Sequence, residues 1–256
     1  MVKKILNLVL YSNDNIYDKM YNALSNFYKR YAFIDTVFYV FDDSITKDYE
    51  KNGDILKIKG SESSLIPGVL DKTIKAFLWV NKNLCINDYE YIVRSNISTI
   101  IEFNKFKTVI NENPFDYGSF LLFTLDWIDK YYGTCNDKYF GTKFASGTNI
   151  ILQKNIFLYI LNNIHKLDYS IIDDISIGVL VKNIPNIIYS NFNTEQYYTF
   201  VNEKIINKNN KYYDDYIVFR NKNNNRYEDI ERMKHIIFIL ELSAPSVDVP
   251  IGLILT

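Results

Sequence analysis

The 256-residue chain is poor in the residues that build disulfide frameworks, zinc sites and phosphate-binding loops. Its two cysteines, Cys85 and Cys135, lie outside any Cys-x-x-Cys motif, which argues against a disulfide scaffold or a zinc module. The two histidines, His165 and His235, lie far apart on amphipathic helical patterns, so the sequence gives no support to a Ser-His-Asp triad. With nine glycines and neither Gly-x-Gly-x-x-Gly nor Gly-x4-Gly-Lys-Ser/Thr, a dinucleotide enzyme of the usual fingerprint and a P-loop NTPase are disfavoured.

A charge surplus and a long apolar run are also missing. Lys and Arg total 29 against 30 Asp and Glu, a net charge of -1, so we expect no nucleic-acid partner. No stretch approaches the roughly twenty apolar residues of a membrane span, and residues 5–11 are too short and lack a cleavage site for a secretion signal. We expect a soluble, cytoplasmic protein whose 48% hydrophobic residues form one domain, alone or with an extension.

The first hundred residues alternate between strand and helix patterns. Apolar or β-rich runs at 5–11, 34–41, 54–59 and 89–93 predict four strands. Helices are predicted after the capping residues Ser12-Asn13-Asp14 and from Pro67-Gly68 to about Leu84; Ile100, Ile101, Phe103 and Val109 indicate a further element, with Ser98 as a candidate helix cap. Repeated βα units predict a doubly wound, mostly parallel sheet.

Polar residues follow the predicted strands. In doubly wound sheets ligands bind beyond the carboxyl ends of the strands, so these side chains should gather there. They are Asp42, Asp43, Glu62, Arg94, Asn96 and Ser98. Acidic and amide groups of this kind suit the binding of a polar ligand and the removal of a proton from a hydroxyl group, which indicates group transfer or hydrolysis.

The second half of the chain is less regular. It has an aromatic-rich stretch at 114–140, a small-residue turn at 145–148 before a strand at 149–152, and a helix carrying Ile156, Ile160 and Ile164. Asp173-Asp174 opens another predicted helix. A β-like run at 213–219 is followed by the basic residues Arg220, Lys222 and Arg226 and by a helix with Ile230, Met233 and Ile237.

Four segments resemble the small glycosyltransferases of large DNA viruses and related microbes, over most of residues 1–238. They are Ile-Pro-Gly-Val-Leu-Asp-Lys-Thr at 66–73, Tyr-Ile-Val-Arg-Ser-Asn-Ile-Ser at 91–98, Phe-Ala-Ser-Gly-Thr-Asn-Ile-Ile-Leu at 144–152 and Ile-Asp-Asp-Ile-Ser-Ile-Gly at 172–178. The last two are similar to the Gly/Ser-rich turn and the Glu/Asp-Asp-Val-x-x-Gly motif of galactosyltransferase-like and Fringe-like enzymes. The resemblance implies an α/β, GT-A-like nucleotide-sugar-binding fold, with a Rossmann-like, mostly parallel central sheet flanked by helices.

The resemblance also implies a function and a set of site residues. The expected reaction is the inverting transfer of a hexosyl group from a nucleotide-sugar donor to a glycan or glycoprotein acceptor, with Asp174 as general base and Asp173 orienting the acceptor hydroxyl. The acceptor side would include Ser146 and Gly147. Donor-binding candidates are Ser12, Asp42, Asp43, Lys72, Arg94, Asn96, Ser98 and Arg220. Residues 1–240 would form a single domain, with a donor half at 1–110 and an acceptor and catalytic half at 111–240, followed by an extension at 241–256. If the protein is viral, it would act in the host cytoplasm.

The chain departs from the family at the metal site. The Asp-x-Asp pair that holds a divalent metal and the donor diphosphate would fall on Asn96 and Ser98, and neither is a carboxylate. Mn²⁺ and Mg²⁺ prefer carboxylate and phosphate oxygens, so metal binding is weakened, relocated to Asp42 or Asp43, or absent. A basic residue would then take the diphosphate charge. The candidates are Lys72, Arg94, Arg220, Lys222 and Arg226.

Each motif also has a purely structural interpretation. Asp173-Asp174 is a sequence that caps helices, Asp42-Asp43 and Asn96 are common in turns, and short basic clusters are often solvated loops. Two other functions stay open. A non-catalytic nucleotide- or sugar-binding domain would account for the missing acidic pair, and a glycoside hydrolase would need a second carboxyl group opposed to Asp174.

Overall fold

A computed structural model describes residues 4–62, 65–201, 213–223 and 225–242 of the chain. Its strands are β1 Lys4–Leu10, β2 Ile34–Asp42, β3 Tyr49–Asn52, β4 Ile55–Lys59, β5 Tyr89–Asn96, β6 Thr99–Ile101, β7 Tyr117–Gly118, β8 Leu122–Thr124, β9 Lys143–Ala145, β10 Asn149–Gln153, β11 Tyr198–Val201 and β12 Val218–Asn221. Seven of them form the central sheet in the order β3-β4-β2-β1-β5-β10-β7. Strands β4, β2, β1 and β5 are parallel, while β3 and β10 run antiparallel to their neighbours.

Helices cover both faces of this sheet. They are α1 Asn15–Tyr28, α2 Gly68–Asn83, α3 Phe103–Glu112, α4 Lys154–Asn162, α5 Asp173–Val181, α6 Thr194–Tyr197 and α7 Arg226–Leu242. The buried faces of α1, α3 and α7 share one apolar core, and those of α2, α4 and α5 share the other. The predicted α/β fold with a mostly parallel, helix-flanked central sheet is therefore confirmed.

Three of the four predicted strands, β1, β2 and β5, form because their apolar runs are mostly buried on both faces of the sheet, whereas β4 alternates between buried and partly exposed residues. All five central residues of β1 are buried, including Asn7, whose Oδ1 accepts a hydrogen bond from Ser95 Oγ at 3.1 Å. The turn after β1 begins α1 as predicted, because Asp14 Oδ1 accepts from the backbone N–H of Ile16 at 2.8 Å. Continuous burial of this kind is typical of parallel strands between two helical layers.

Two local expectations are corrected by long-range pairing. Ser98 does not cap a helix, because the chain first forms β6, which pairs with β12. Helix α3 is instead capped by Glu102, whose Oε2 accepts from the N–H of Lys105 at 2.7 Å. The predicted strand at 213–219 is confined within the described residues to Val218–Asn221. The pairing places Arg220 opposite Thr99, directly beside Ser98.

Both halves of the predicted domain contribute to the same sheets. Strands β7 and β10 complete the central sheet, β6 joins β11 and β12 in a three-stranded sheet, and β8 pairs with β9. The division at residue 110 stays a prediction, and residues 243–256 of the expected extension lie outside the described residues. Within the part of the chain that the structure describes, no helix has the length and apolar character needed to cross a bilayer.

Candidate functional site

The double aspartate lies in the first turn of α5, as the sequence predicts. The N-cap position is occupied by Ile172, which provides no side-chain cap. Gly178 allows this helix to lie against β9, because a Cβ atom there would come within 2.7 Å of Phe144 Cβ and 2.8 Å of the Lys143 carbonyl oxygen. The close approach fixes the first turn of α5 beside the turn that precedes β10.

Asp173 points into the protein and pairs with Arg94. The side chains are 4% and 1% exposed, and Arg94 Nη2 lies 2.7 Å from Asp173 Oδ2. Arg94 Nη1 also donates to Asn96 Oδ1 at 3.1 Å and to the carbonyl oxygen of Gly147. Arg94 thus joins the end of β5 to α5 and to the small-residue turn, and its charge is neutralised within the protein.

Asp174 turns the other way and is partly exposed. Its Oδ2 accepts from the backbone N–H of Gly147 at 3.0 Å, and its Oδ1 accepts from the N–H of Ile175 at 2.8 Å. A carboxylate oxygen has about two lone pairs, so each oxygen keeps one acceptor position after these bonds are formed. The carboxylate is held from behind by the backbone and remains able to accept a proton from a ligand.

The surroundings of Asp174 weaken its acidity. Burial, followed by the negative charge of Asp173, raises the pKa of Asp174 to about 7, against the opposing effects of the Gly147 N–H and of Arg94. A group with a pKa near neutral pH is suited to take up a proton during turnover. Two adjacent aspartates therefore have different environments: one neutralises a buried arginine and the other can act as a base.

Asp174 lines a cavity of about 260 Å³. One wall is aromatic: Phe123 and Trp127 stand edge to face with ring centroids 6.1 Å apart, and both rings lie near Phe144. The polar lining includes Ser146, Thr148, Asp174, Tyr198, Arg220 and Lys222. Polar groups combined with exposed rings are typical of a site that orients a polar ligand with an apolar face.

The structure brings most of the predicted site residues into one network around this cavity. Ser98 and Arg220 meet directly, since Arg220 Nη1 donates to Ser98 Oγ at 2.5 Å and to Thr99 Oγ1 at 3.2 Å. Ser146 lines the cavity, and its Oγ accepts from the N–H of Thr148 at 3.3 Å. The remaining members, which lie behind the cavity wall, are Arg94, Asn96, Gly147 and Asp173.

The other strand-end candidates form separate contacts. Asp42 is buried, its Oδ2 lies 2.9 Å from Lys57 Nζ and its Oδ1 accepts from the N–H and hydroxyl of Ser44; these contacts lower the pKa of Asp42 to about 2. Asp43 is exposed. Their assignment to donor binding, like that of the partly exposed Ser12, stays a prediction.

Lys72 is buried beside the end of β1. Its Nζ donates to the carbonyl oxygen of Tyr11 at 3.0 Å and to the carboxylate of Glu62, and burial lowers the pKa of the amine despite that carboxylate. The charge of Lys72 is therefore shared with an acidic partner within the protein. Its predicted donor contact likewise stays untested.

The residues at the expected metal position do not fit Mn²⁺ or Mg²⁺. Asn96 Oδ1 and Ser98 Oγ, both neutral, each accept a hydrogen bond from an arginine. Asp42, to which a metal could be relocated, already has both oxygens engaged. Among the residues that the structure describes, no three His, Cys, Asp or Glu side chains lie together in a group that could hold a metal ion.

The sequence patterns do not mark Tyr198, Thr148, Phe123 or Trp127 as site residues. Phe123 and Trp127 fall in the aromatic-rich stretch at 114–140, where the clustering of rings was the available signal, and their exposure is evident only in the structure. Tyr198 had no local signal. It reaches the cavity because β11 pairs with β12, so that Tyr198 lies next to Val218 and near Arg220.

The fold is similar to that of a solved glycosyltransferase, described as "involved in the glycosylation of the major capsid of PBCV-1". The two chains are 11% identical, the match covers 90% of this chain and 98% of the other, and the TM-score is 0.50. The similarity shows a shared fold. The inositol-1-phosphate CTP transferase from T. maritima matches more weakly, at 9% identity and a TM-score of 0.43 over 91% of this chain and 97% of that one. No family model and no curated protein matches the sequence.

Proposed function

We propose that the chain is a glycosyltransferase of the GT-A type that moves a sugar from a nucleotide-sugar donor to a hydroxyl group of a glycan or glycoprotein. The observation that carries the proposal is the state of Asp174, a carboxylate held by two backbone N–H groups in a ring-lined cavity, with a pKa of about 7. The fold shared with the PBCV-1 glycosyltransferase supports the reaction class.

In the proposed mechanism Asp174 is the catalytic base of a single displacement. The acceptor oxygen attacks the anomeric carbon while its proton passes to Asp174. The bond from that carbon to the donor phosphate breaks, and its electron pair leaves with the nucleoside diphosphate. One displacement inverts the anomeric configuration. The protonated carboxyl then loses its proton to solvent, which a pKa near 7 allows at neutral pH.

The aromatic wall is the proposed acceptor platform. Phe123 and Trp127 are 37% and 36% exposed, large values for rings that belong to a cluster. Aromatic rings present flat apolar faces with a negative quadrupole, which suits the C–H face of a sugar ring. An acceptor stacked there would have its hydroxyl groups directed to the polar lining, where Asp174 and Ser146 lie.

The geometry argues against a glycoside hydrolase. Such an enzyme needs two carboxyl groups on opposite sides of the scissile bond. Of the described residues that line the cavity, only Asp174 carries a carboxylate. Asp173 is directed away from it towards Arg94, so in this proposal Asp173 is a positioning residue and not the expected contact to the acceptor hydroxyl.

Release of nucleoside diphosphate from UDP-, GDP- and TDP-sugars, measured with and without a panel of glycan acceptors, tests the proposal. We expect one donor to be consumed and Asp174→Asn to lose roughly 10²- to 10⁴-fold in transfer, because a positioned general base contributes about that much. The variant should keep its donor affinity. The rate for the native protein should rise with pH through about 7 as Asp174 loses its proton.

Asp71→Asn is the matched control, because Asp71 lies on α2 in a surface pair with Lys75. It should transfer at the native rate. Normal turnover by Asp174→Asn would remove Asp174 from the role of base. Nucleotide binding without turnover under any acceptor would favour the non-catalytic binding domain instead.

A further inference from the structure

Arg220 differs from the other basic groups near the cavity in having no acidic partner. Arg94 is paired with Asp173, Lys72 with Glu62 and Arg226 with Asp229. The Arg220 guanidinium donates only to the hydroxyl groups of Ser98 and Thr99, and its buried Nε has no hydrogen bond in the described structure. Burial lowers the pKa of Arg220 to about 10, so the group is still cationic at neutral pH.

Two further donors line the cavity beside Arg220. The hydroxyl of Tyr198 is buried beside that of Thr148 without a hydrogen bond of good geometry, and the whole residue is only 5% exposed. Lys222 lies two residues beyond Arg220 and lines the cavity with an exposed side chain that has no ion pair within the described ranges. Three donors, two of them positively charged, therefore line one cavity, and neither cation forms an ion pair with an acidic side chain of the described residues.

Arg220 is partly buried, and such a cation without an ion pair is costly unless a ligand supplies the opposite charge. A guanidinium matches phosphate oxygens with two parallel N–H groups, and a nearby ammonium adds a second positive charge. The pairing of Arg220 with Ser98 matters here, because a carboxylate at position 98 would have neutralised this arginine. A serine leaves the charge available to a ligand.

We propose that Arg220, Lys222 and Tyr198 form a metal-free diphosphate site, which binds the two phosphates of a nucleoside-diphosphate donor and stabilises the charge of the departing diphosphate. The proposal rests on the proposed transferase function and identifies the donor class at the same cavity. Asp174 takes the acceptor proton, and the electron pair of the broken C–O bond stays on the diphosphate, where the two cations compensate it.

The site replaces the metal that the family resemblance implies. Asn96 and Ser98 offer neutral oxygens already bound by Arg94 and Arg220, a poor donor set for a hard divalent cation. A metal ion bound there would also lie next to the positive charge of Arg220. The cation that assists the leaving group is therefore part of the protein, and donor binding should not require Mn²⁺ or Mg²⁺.

Calorimetric titration with UDP, GDP, TDP, inorganic phosphate and inorganic pyrophosphate, each in EDTA and in Mn²⁺ or Mg²⁺, tests the site in the full chain. We expect at least one nucleoside diphosphate, and pyrophosphate more weakly, to bind in EDTA with an affinity changed less than about threefold by metal. Arg220→Gln should weaken binding roughly 10- to 100-fold, because it removes a charged hydrogen-bonding group. Lys222→Gln should have a smaller effect, since Lys222 is exposed.

The control for Lys222→Gln is Lys234→Gln, an exposed lysine on α7 paired with Glu231, which should bind as the native protein does. Asp174→Asn should also retain binding, which separates this site from the catalytic base. Thermal melting of Arg220→Gln establishes that a loss of binding is not a loss of fold.

The outcomes separate the two proposals. If the native chain transfers sugar but Arg220→Gln keeps its diphosphate affinity, or if binding vanishes in EDTA and returns with Mn²⁺, the metal-free site is wrong and the transferase stands. Equal affinity for phosphate and pyrophosphate would instead assign the site to a single phosphate group. If neither diphosphate binding nor sugar transfer occurs, the proposed function fails and this site fails with it.

Discussion

Polar side chains beside the central sheet differ from those around the cavity near the three-stranded sheet. Beside β2 and β4, Asp42 is paired with Lys57 and Ser44, and the neighbouring Lys72 is paired with Glu62. Around the cavity near β12, Tyr198 and Arg220 keep polar atoms without partners in the described structure. The first region has its charges compensated within the protein, whereas the second lacks the groups that a ligand would supply.

This difference separates structural groups from functional ones better than residue type does. Both regions contain acids and basic residues after strands, and the sequence patterns made them equal candidates. Buried polar groups without partners cost stability, and they also occur away from the cavity, as at Asn7 and Thr36. The second region is distinguished because its unpartnered groups belong to residues that line a cavity, where a ligand could supply the missing contacts. The buried Arg94–Asp173 ion pair neutralises both charges within the protein, although Arg94 Nε has no hydrogen bond.

The largest effect on stability should come from breaking the Arg94–Asp173 ion pair. Asp173→Asn leaves Arg94 buried with a neutral neighbour, and removing one partner of a buried ion pair costs about 3–5 kcal/mol. Chemical denaturation at pH 7 measures the loss. Because the Asp173 charge also raises the pKa of Asp174, the variant should move the rise of transfer activity to lower pH.

Asp71→Asn again serves as the comparison, since it breaks a surface pair in which both side chains are about 40% exposed. Pairs of this kind contribute roughly 0–1 kcal/mol. If Asp173→Asn and Asp71→Asn lost equal unfolding free energy, the charge of Asp173 would not be needed to stabilise buried Arg94. The inference that Asp173 neutralises this arginine would then be wrong.

A smaller effect is expected from Asp42→Asn, in the compensated region beside the central sheet. Hydrogen bonds from Ser44 and the contact with Lys57 lower the pKa of Asp42 from 3.8 to about 2, so the folded protein favours the charged form. This stabilisation is present above about pH 4 and is lost as the pH falls through about 2. We expect the variant to lose about 1 kcal/mol at pH 7, and the difference from the native protein to shrink below pH 4.

Asp43→Asn is the control for this prediction, because the adjacent carboxylate is exposed. Its unfolding free energy at pH 7 should match that of the native protein. Sugar transfer by Asp42→Asn should be nearly native. A strong loss of transfer in a stable Asp42→Asn protein would instead place Asp42 in the donor site and weaken the contrast between the two regions.

The central part of the fold could be predicted from the sequence because its signals are local. Apolar runs mark strands buried on both faces, and capping residues mark the start of α1. The edge strand Tyr49–Asn52 was missed because three of its four residues are exposed and no apolar run exists. Its two-residue Gly53-Asp54 loop to β4, with Gly53 at φ 59°, was the available hairpin signal.

The site could be predicted only in part. Asp174 and Ser146 belong to short motifs, and Arg220 belongs to a basic cluster. Residue type and spacing were therefore enough to select these three as candidates. What the sequence could not show is which charges are compensated, because partners such as Asp173 and Arg94 are far apart in the chain. Tyr198 joins the cavity only through the pairing of β11 with β12. Whether a buried charge is neutralised by a partner is therefore decided by the tertiary structure.

The smallest effect on stability should come from removing the Tyr198 hydroxyl, and the removal of the Tyr117 hydroxyl provides the comparison. Tyr198→Phe deletes a buried hydroxyl without a hydrogen bond of good geometry, so its unfolding free energy should stay within about 0.5 kcal/mol of native or rise. Tyr117→Phe deletes a buried hydroxyl that accepts from the N–H of Ala145 at 2.9 Å. That variant should lose roughly 1–3 kcal/mol, because the N–H is left unpaired.

The affinity for nucleoside diphosphate should rank these two variants in the opposite order. Tyr198→Phe removes one of three donors from the proposed diphosphate site, and we expect nucleoside diphosphate affinity to fall roughly three- to tenfold, whereas Tyr117→Phe should bind normally once folded. Denaturation and calorimetry on the same two proteins measure both quantities. If Tyr198→Phe were as unstable as Tyr117→Phe and bound diphosphate normally, the Tyr198 hydroxyl would be a structural group. The cavity would then lose one of the features that distinguish it from the compensated region beside the central sheet.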